Sequence, residues 1–320
     1  MESDAIKHVL SKYGIKYQEI LLPEKGYRNT SYPIRISGDK IINIILYKDE
    51  TDILDRVKNA NKTGNFLALK GFPARNNYSD KILRISNKKF IRYVSVYNYL
   101  PGKTIPWEAY TMERMKELGH SMADMHTSLK TLNTRYFPSV VDENLKLNEL
   151  IAKYTSESGV RRAIAKKLGV KIESGDFTDA LNAAKKLLDQ QVIHMDFVRG
   201  NILFEGNTIS GVLDFEKCGV GATTLDVART LAFLLVDCKY KDEAKIRKYF
   251  LRSGYIKRGD RNLTDVRFKD KNLFDELVNF FVLHDFYKFL LHNPYEYLSL
   301  NEHFARTKNY LLKTGIIAKV

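Results

Sequence analysis

A chain of 320 residues is longer than one ordinary compact core and fits two packed lobes. With 44% hydrophobic and 28% charged residues, and only 7 Pro and 18 Gly, it is neither disordered nor collagen-like. No apolar run approaches the roughly 18 residues of a membrane-spanning helix.

The net charge of +14 is spread along the chain as dispersed Lys and Arg. Small basic clusters stand at Arg161, Arg162, Lys166 and Lys167, and at Arg247, Lys248, Arg252, Lys257 and Arg258. Neither has the interleaved aromatics of a single-strand platform, so a nucleic-acid partner is not expected. Cys218 and Cys238 do not make a disulfide framework. Together with an acidic start lacking an apolar region, this reads as a cytoplasmic chain.

In chain order, Asp4 to Tyr13 has helical spacing and stops at Gly14. Ile20–Leu22, Tyr32–Ile36 and Ile41–Tyr47 read as strands, with Ser37-Gly38-Asp39 as a turn. Thr51 is expected to cap a helix with apolar face Ile53, Leu54, Val57, Phe66, Leu67 and Leu69, ending at Gly71. Strands return at Ile82–Ile85 and Phe90–Leu100, and Pro101-Gly102 breaks the run. Beyond that the period turns helical. Met112, Met115, Leu118, Met122 and Met125 form a core-facing stripe on a helix beginning at Thr111. Helices are expected over 144–154, 159–168 and 178–190, and from 223 onward. Among them lie two strands, Asn201–Phe204 and Ile209–Phe215, joined by the hairpin signal Gly206-Asn207.

The segment that carries chemistry is His194-Met195-Asp196-Phe197-Val198-Arg199-Gly200-Asn201, followed by Gly211-Val212-Leu213-Asp214-Phe215. A short strand at Val192-Ile193 leads into a polar loop with a carboxylate and, five residues on, an amide. A hairpin then returns a second carboxylate, Asp214, beside them. One carboxylate and one amide are hard oxygen donors suited to Mg²⁺, which also binds waters and substrate phosphates. The remaining carboxylate, Asp196, is free to accept a proton from an attacking hydroxyl. Chance placement of His-x-Asp-x₄-Asn in this composition is expected only about 0.03 times.

At these residues the chain resembles the aminoglycoside phosphotransferase and choline kinase-like family, relatives of the protein kinases. That family's pattern is His-Gly-Asp-x₄-Asn, then Asp-Phe, then a distal Asp-Leu-Ala. Here these are His194-Met195-Asp196 to Asn201, Asp214-Phe215 and Asp226-Val227-Ala228. The resemblance implies an α+β, bilobal protein-kinase-like fold. A small antiparallel-sheet N-lobe (1–98) covers the nucleotide, and a larger, mainly helical C-lobe (99–320) carries catalysis, with the hinge at about 97–102. It implies a phosphotransferase with an alcohol group as acceptor, using Mg²⁺ and ATP or GTP as phosphate donor on a small hydroxylated substrate. Asp196 becomes the catalytic base, and Asn201 and Asp214 the metal ligands. His194 and Asp226 brace the loop. Gly26, Arg28, Asn29 and Thr30 match the nucleotide-covering hairpin, and Asn98 and Tyr99 offer hinge groups to a purine.

Two positions depart from the pattern. Met195 replaces the motif glycine, a change of packing more than of chemistry. The third strand, Ile41 to Tyr47, holds no cation where the family has a Lys or Arg. Asn43 is its only polar residue before Tyr47, and Lys48 lies just past its end. The next helix offers Asn59, Asn61 and Asn65 in place of a glutamate. Either an Asn–Asn contact replaces the ion pair, with Arg28 supplying charge, or the chain is a degenerate kinase-like module that binds nucleotide or protein without turnover. A cationic acceptor would need acidic side chains such as Asp285, Glu296 and Glu302 gathered together.

Overall fold

The computed structural model describes residues 2–25, 29–86, 91–238, 242–259 and 271–320. The first helix, α1 (Glu2–Tyr13), is followed by the short strands β1 (Glu19–Ile20) and β2 (Glu24–Lys25). Then come β3 (Thr30–Ser37), β4 (Lys40–Lys48), helix α2 (Ile53–Leu69), β5 (Asn77–Ser86) and β6 (Ile91–Asn98). The strands form one antiparallel sheet in the order β1-β3-β4-β6-β5, with β2 also on β3. Alternation in β4 sorts its side chains. Ile42 and Ile44 pack with Ile6, Val9 and Leu10 of α1, whereas Ile45 and Tyr47 pack with Ile53 and Val57 of α2. The sheet is thus a central layer between two helices. Asp52, in a left-handed conformation and without a side-chain cap bond, precedes α2 where Thr51 was the expected cap. Phe90, expected to open the last strand, lies outside the described residues.

From Lys103 onward the chain is mainly helical. Thr111 caps α3 (Met112–Leu129) by accepting the Arg114 amide. The Met stripe is core as the spacing requires, except Met112, which is exposed. Helices α4 (Val140–Ser156), α5 (Ser158–Leu168) and α6 (Thr178–Lys185) follow, with strand β7 (Val170–Ile172) before α6. The helix expected over 178–190 ends early because Gln190–Ile193 is strand β8, pairing with β11 (Gly219–Ala222). The hairpin is β9 (Ile202–Glu205) with β10 (Thr208–Val212). It is followed by α7 (Thr223–Asp237), α8 (Glu243–Ile246, running into a π-helix over Arg247–Ile256), α9 (Lys271–His292), α10 (Tyr295–Leu298) and α11 (Glu302–Lys313). A last strand, β12 (Ile317–Lys319), pairs with β7. Among the described residues no helix is long and apolar enough to cross a membrane.

Two backbone stitches tie the β9–β10 hairpin to the hinge side and to the segment after α2. Lys103 and Phe204 exchange hydrogen bonds at 3.1 and 2.9 Å, and Val212 donates to Pro73 while accepting from Arg75. Gly102, at φ +107°, sits so close to the hairpin that a Cβ would stand 2.2 Å from Ser210 Oγ. Only glycine fits that crossing.

Candidate active site

The loop after β8 is held by one buried carboxylate. Asp226, at the start of α7, accepts the backbone amides of His194 (2.8 Å) and Met195 (2.9 Å) and the His126 Nε2–H (3.0 Å). Burial alone would raise its pKa, but the hydrogen bond from His126 and the nearby imidazoles outweigh burial and keep it ionised. His194 Nε2–H donates to the Leu213 carbonyl (2.9 Å), and its Nδ1 accepts the Asp196 amide (3.1 Å). Those partners fix one neutral tautomer, and burial lowers the pKa further. The ring, edge-on to Phe197 and tilted against Phe215, is therefore a brace between loop and hairpin.

Met195 sits at φ +58°, a left-handed backbone that favours glycine. The side chain compensates by joining the core, 5% exposed. The departure at this position is therefore conformational as well as a matter of packing.

Asp196 and Asn201 meet directly. Asn201 Nδ2 donates to the Asp196 carbonyl (2.9 Å) and to its Oδ2 (3.1 Å), and Leu213 N donates to the Asn201 carbonyl. The other carboxylate oxygen, Oδ1, takes Lys217 Nζ at 2.8 Å and Arg229 at 3.4 Å. Burial would raise the Asp196 pKa, but Lys217 and Arg229 hold it well below the usual carboxylate range. Asp214, at φ +56°, ends the hairpin sooner than the sequence suggested and turns its side chain, 46% exposed, onto the cleft. Desolvation in the cleft, then the neighbouring Glu216 carboxylate, push it up to about 6.

Arg75, which the sequence reading did not single out, is buried beneath this group. Its guanidinium pairs with Asp214 (2.9 Å) and with Glu216, and lies 4.5 Å from the centre of the Tyr97 ring. Tyr47 donates to Glu216, contacts the Tyr97 hydroxyl at 2.8 Å, and Tyr97 in turn donates to Asn61 of α2 (2.9 Å). α2 approaches closely enough that a Cβ on Gly64 would lie 2.0 Å from the Arg75 carbonyl. The only advance signal for Arg75 was its place just after Gly71, where the helix was expected to end.

The expected Asn–Asn contact does not form. Asn43 accepts from Ser31 (2.7 Å), Asn59 donates to Tyr136, and Asn65 accepts the Asn77 amide. Lys48 is exposed at the end of β4 and, by strand parity, faces away from Tyr47 and the cleft. Asn29 and Thr30 are half-buried at the start of β3, with Thr30 opposite Leu46. Asn98 pairs with Ile42 and donates to the Asn77 carbonyl, and Tyr99 beside it is exposed. Gly26 and Arg28 lie outside the described residues. Asp196, Asn201 and Asp214 are thus gathered in one cleft, and Lys48 is not. Among the described residues no cluster of three His, Cys, Asp or Glu side chains is arranged to hold a metal alone.

Comparison with known proteins decides the family. The profile of the phosphotransferase enzyme family (APH) matches residues 66–250, more than half of the chain. The chain belongs to the phosphotransferase enzyme family. No curated protein sequence matches it. Among solved structures it is similar to an amicoumacin kinase in complex with AMP-PNP, Ca²⁺ and Ami, at TM-score 0.69 and 15% identity, covering 96% of this chain and 93% of that one. It is also similar to a microcompartment-associated aminopropanol kinase, at TM-score 0.67 and 15% identity, covering 98% of each chain. A mutant aminoglycoside 2′-phosphotransferase in its GDP complex follows at TM-score 0.63 and 12% identity, covering 98% and 99%. At such identities the likeness establishes the protein-kinase-like fold, with its small antiparallel N-terminal sheet and helical C-terminal part.

Proposed function

We propose that this phosphotransferase is a Mg²⁺-dependent small-molecule kinase that moves the γ-phosphate of ATP or GTP to a hydroxyl of a small metabolite or antibiotic. Residues 1–98 would cover the nucleotide, and 99–320 would carry the catalytic and acceptor groups. The observation that carries the reading is the convergence of Asp196, Asn201 and Asp214, locked by the Asn201–Asp196 hydrogen bonds.

Asn201 spends both amide hydrogens on Asp196, leaving its Oδ1 as an oxygen donor on a residue whose backbone carbonyl accepts the amide of Leu213, next to Asp214. Two hard oxygens fit a metal that completes its shell with waters and nucleotide phosphates. Bound there, Mg²⁺ would neutralise charge developing on the transferred phosphoryl group. Asp196, held ionised by Lys217 and Arg229, is a weak proton acceptor. Its contribution is to orient the acceptor hydroxyl and take its proton late, as a loose transition state allows. Arg75 supplies the fixed positive charge that β4 lacks. It is only 4% exposed, so it positions Asp214 rather than gripping phosphate.

The test is Mg²⁺-dependent release of ADP or GDP, with and without acceptor. Asp214→Ala should abolish it, and turnover within about tenfold of wild type would sink the metal assignment. Nucleotide binding without any turnover in wild type would favour the non-catalytic module.

A further inference from the structure

The floor around Asp196 carries more positive charge than Asp196 needs. Arg229 of α7 is 7% exposed, reaches Asp196 with one nitrogen, and leaves its buried Nε without a partner among the described residues. Its guanidinium lies over Phe281 of α9, 5.6 Å from the ring centre. Phe281, His284 and Lys288 recur at three- and four-residue spacing and so share one face of α9, turned toward α7. Burial, then Arg229 and Lys217, push Lys288 down to about 8, and burial with the Lys288 charge depresses His284 as well. Lys217 and Arg229 thus converge on Asp196 at 2.8 and 3.4 Å, and Lys288 follows on the face of α9 that meets Arg229 through Phe281.

The other carboxylates have partners of their own, Asp285 being shared between Lys288 and His303. Asp285 pairs with His303, Glu296 with Lys167 (3.1 Å), and Glu302 with Arg306 (3.0 Å). Among the described residues, these three carboxylates do not gather into the acidic patch that a polycationic acceptor would need. From this arrangement, and resting on the kinase reading above, we infer that the acceptor is a hydroxylated anion, its carboxylate or phosphate seated between Arg229 and Lys288 while its hydroxyl faces Asp196. Opposite charge buried at a partly desolvated pair of cations discriminates strongly against a cationic acceptor.

Isothermal titration in saturating AMP-PNP and Mg²⁺ tests this, with D-glycerate, glycerol 3-phosphate, glycerol and kanamycin A as titrants. At least one of the two anions should bind about tenfold or more tightly than glycerol, and kanamycin A should bind no better than glycerol. Lys288→Gln should weaken the anion about tenfold and leave AMP-PNP affinity within about twofold, while Lys288→Arg should restore anion binding. Kanamycin A binding more tightly than both anions, no anion binding, or anion binding indifferent to Lys288→Gln would each overturn the inference. So would a loss of AMP-PNP rather than of the anion in Lys288→Gln, since the cations would then serve the nucleotide. If the wild type fails to bind AMP-PNP at all, the kinase reading falls instead, and the same titrations on nucleotide-free protein still judge the basic cluster.

Discussion

Arg75 and Asp196 show at the residue scale how charge is placed in this cleft. Arg75 is a buried cation whose desolvation is offset by Asp214, Glu216 and the Tyr97 face. Arg75→Gln leaves two carboxylates crowded without their counter-charge. It should destabilise the fold by about 3–5 kcal/mol, read as a lowered melting temperature. Mg²⁺ should recover part of that loss, and a variant melting like wild type would show the pair to be incidental. Asp196→Asn should lower kcat by about 10²-fold or more with little change in nucleotide affinity. A large loss of nucleotide binding would instead mark Asp196 as a structural residue. The motif residues themselves were readable in the sequence because local spacing fixes them: a loop between two strands must bring His194, Asp196 and Asn201 together. Arg75 was not readable, since it is 139 and 141 residues from the carboxylates it meets and nothing local announces such a contact.

At the element scale, α2 and α11 each carry a device that can be tested. Gly64 lets α2 lie against the Arg75 backbone, so Gly64→Ala forces a shift of helix or arginine. A cost of about 1–3 kcal/mol and a drop in turnover are expected together, and a stable, fully active variant would contradict the close approach. On α11, His303 bridges Asp237 of α7 and Asp285 of α9. Burial alone would lower its pKa, yet the hydrogen bonds it donates to both carboxylates raise it to about 9. Its stabilisation is therefore complete below the ordinary value near 6.5 and is lost as pH rises through 9, at most about 3 kcal/mol. Melting curves of wild type should fall across that window, and those of His303→Asn should be flatter there. Equal slopes would remove His303 from the account. Helix and strand periods foretold α1, α3, α5 and the β9–β10 hairpin. They caught β8 only as the short strand at Val192-Ile193 and missed β7, β11 and the terminal strand β12, because those pairs are only three or four residues long and join segments far apart in sequence.

Over the whole molecule, the bilobal layout followed from one switch of period, strand-like before Pro101-Gly102 and helical after. What the sequence left open was how a kinase-like cleft works without a cation on β4. The structure places a buried arginine from the segment after α2 beside Asp214, while Asn43 hydrogen-bonds Ser31 within the sheet. On the proposed function, Asp214 and Asn201 join a metal and a nucleotide in that cleft. A thermal melt with ATP and with GTP, each with and without Mg²⁺, tests it most directly. Nucleotide at about 100 times its Kd should add about 2.7 kcal/mol of stability in the presence of Mg²⁺, and much less without the metal or in Asp214→Ala. No shift with either nucleotide, or a shift indifferent to Mg²⁺ and to Asp214→Ala, would contradict it.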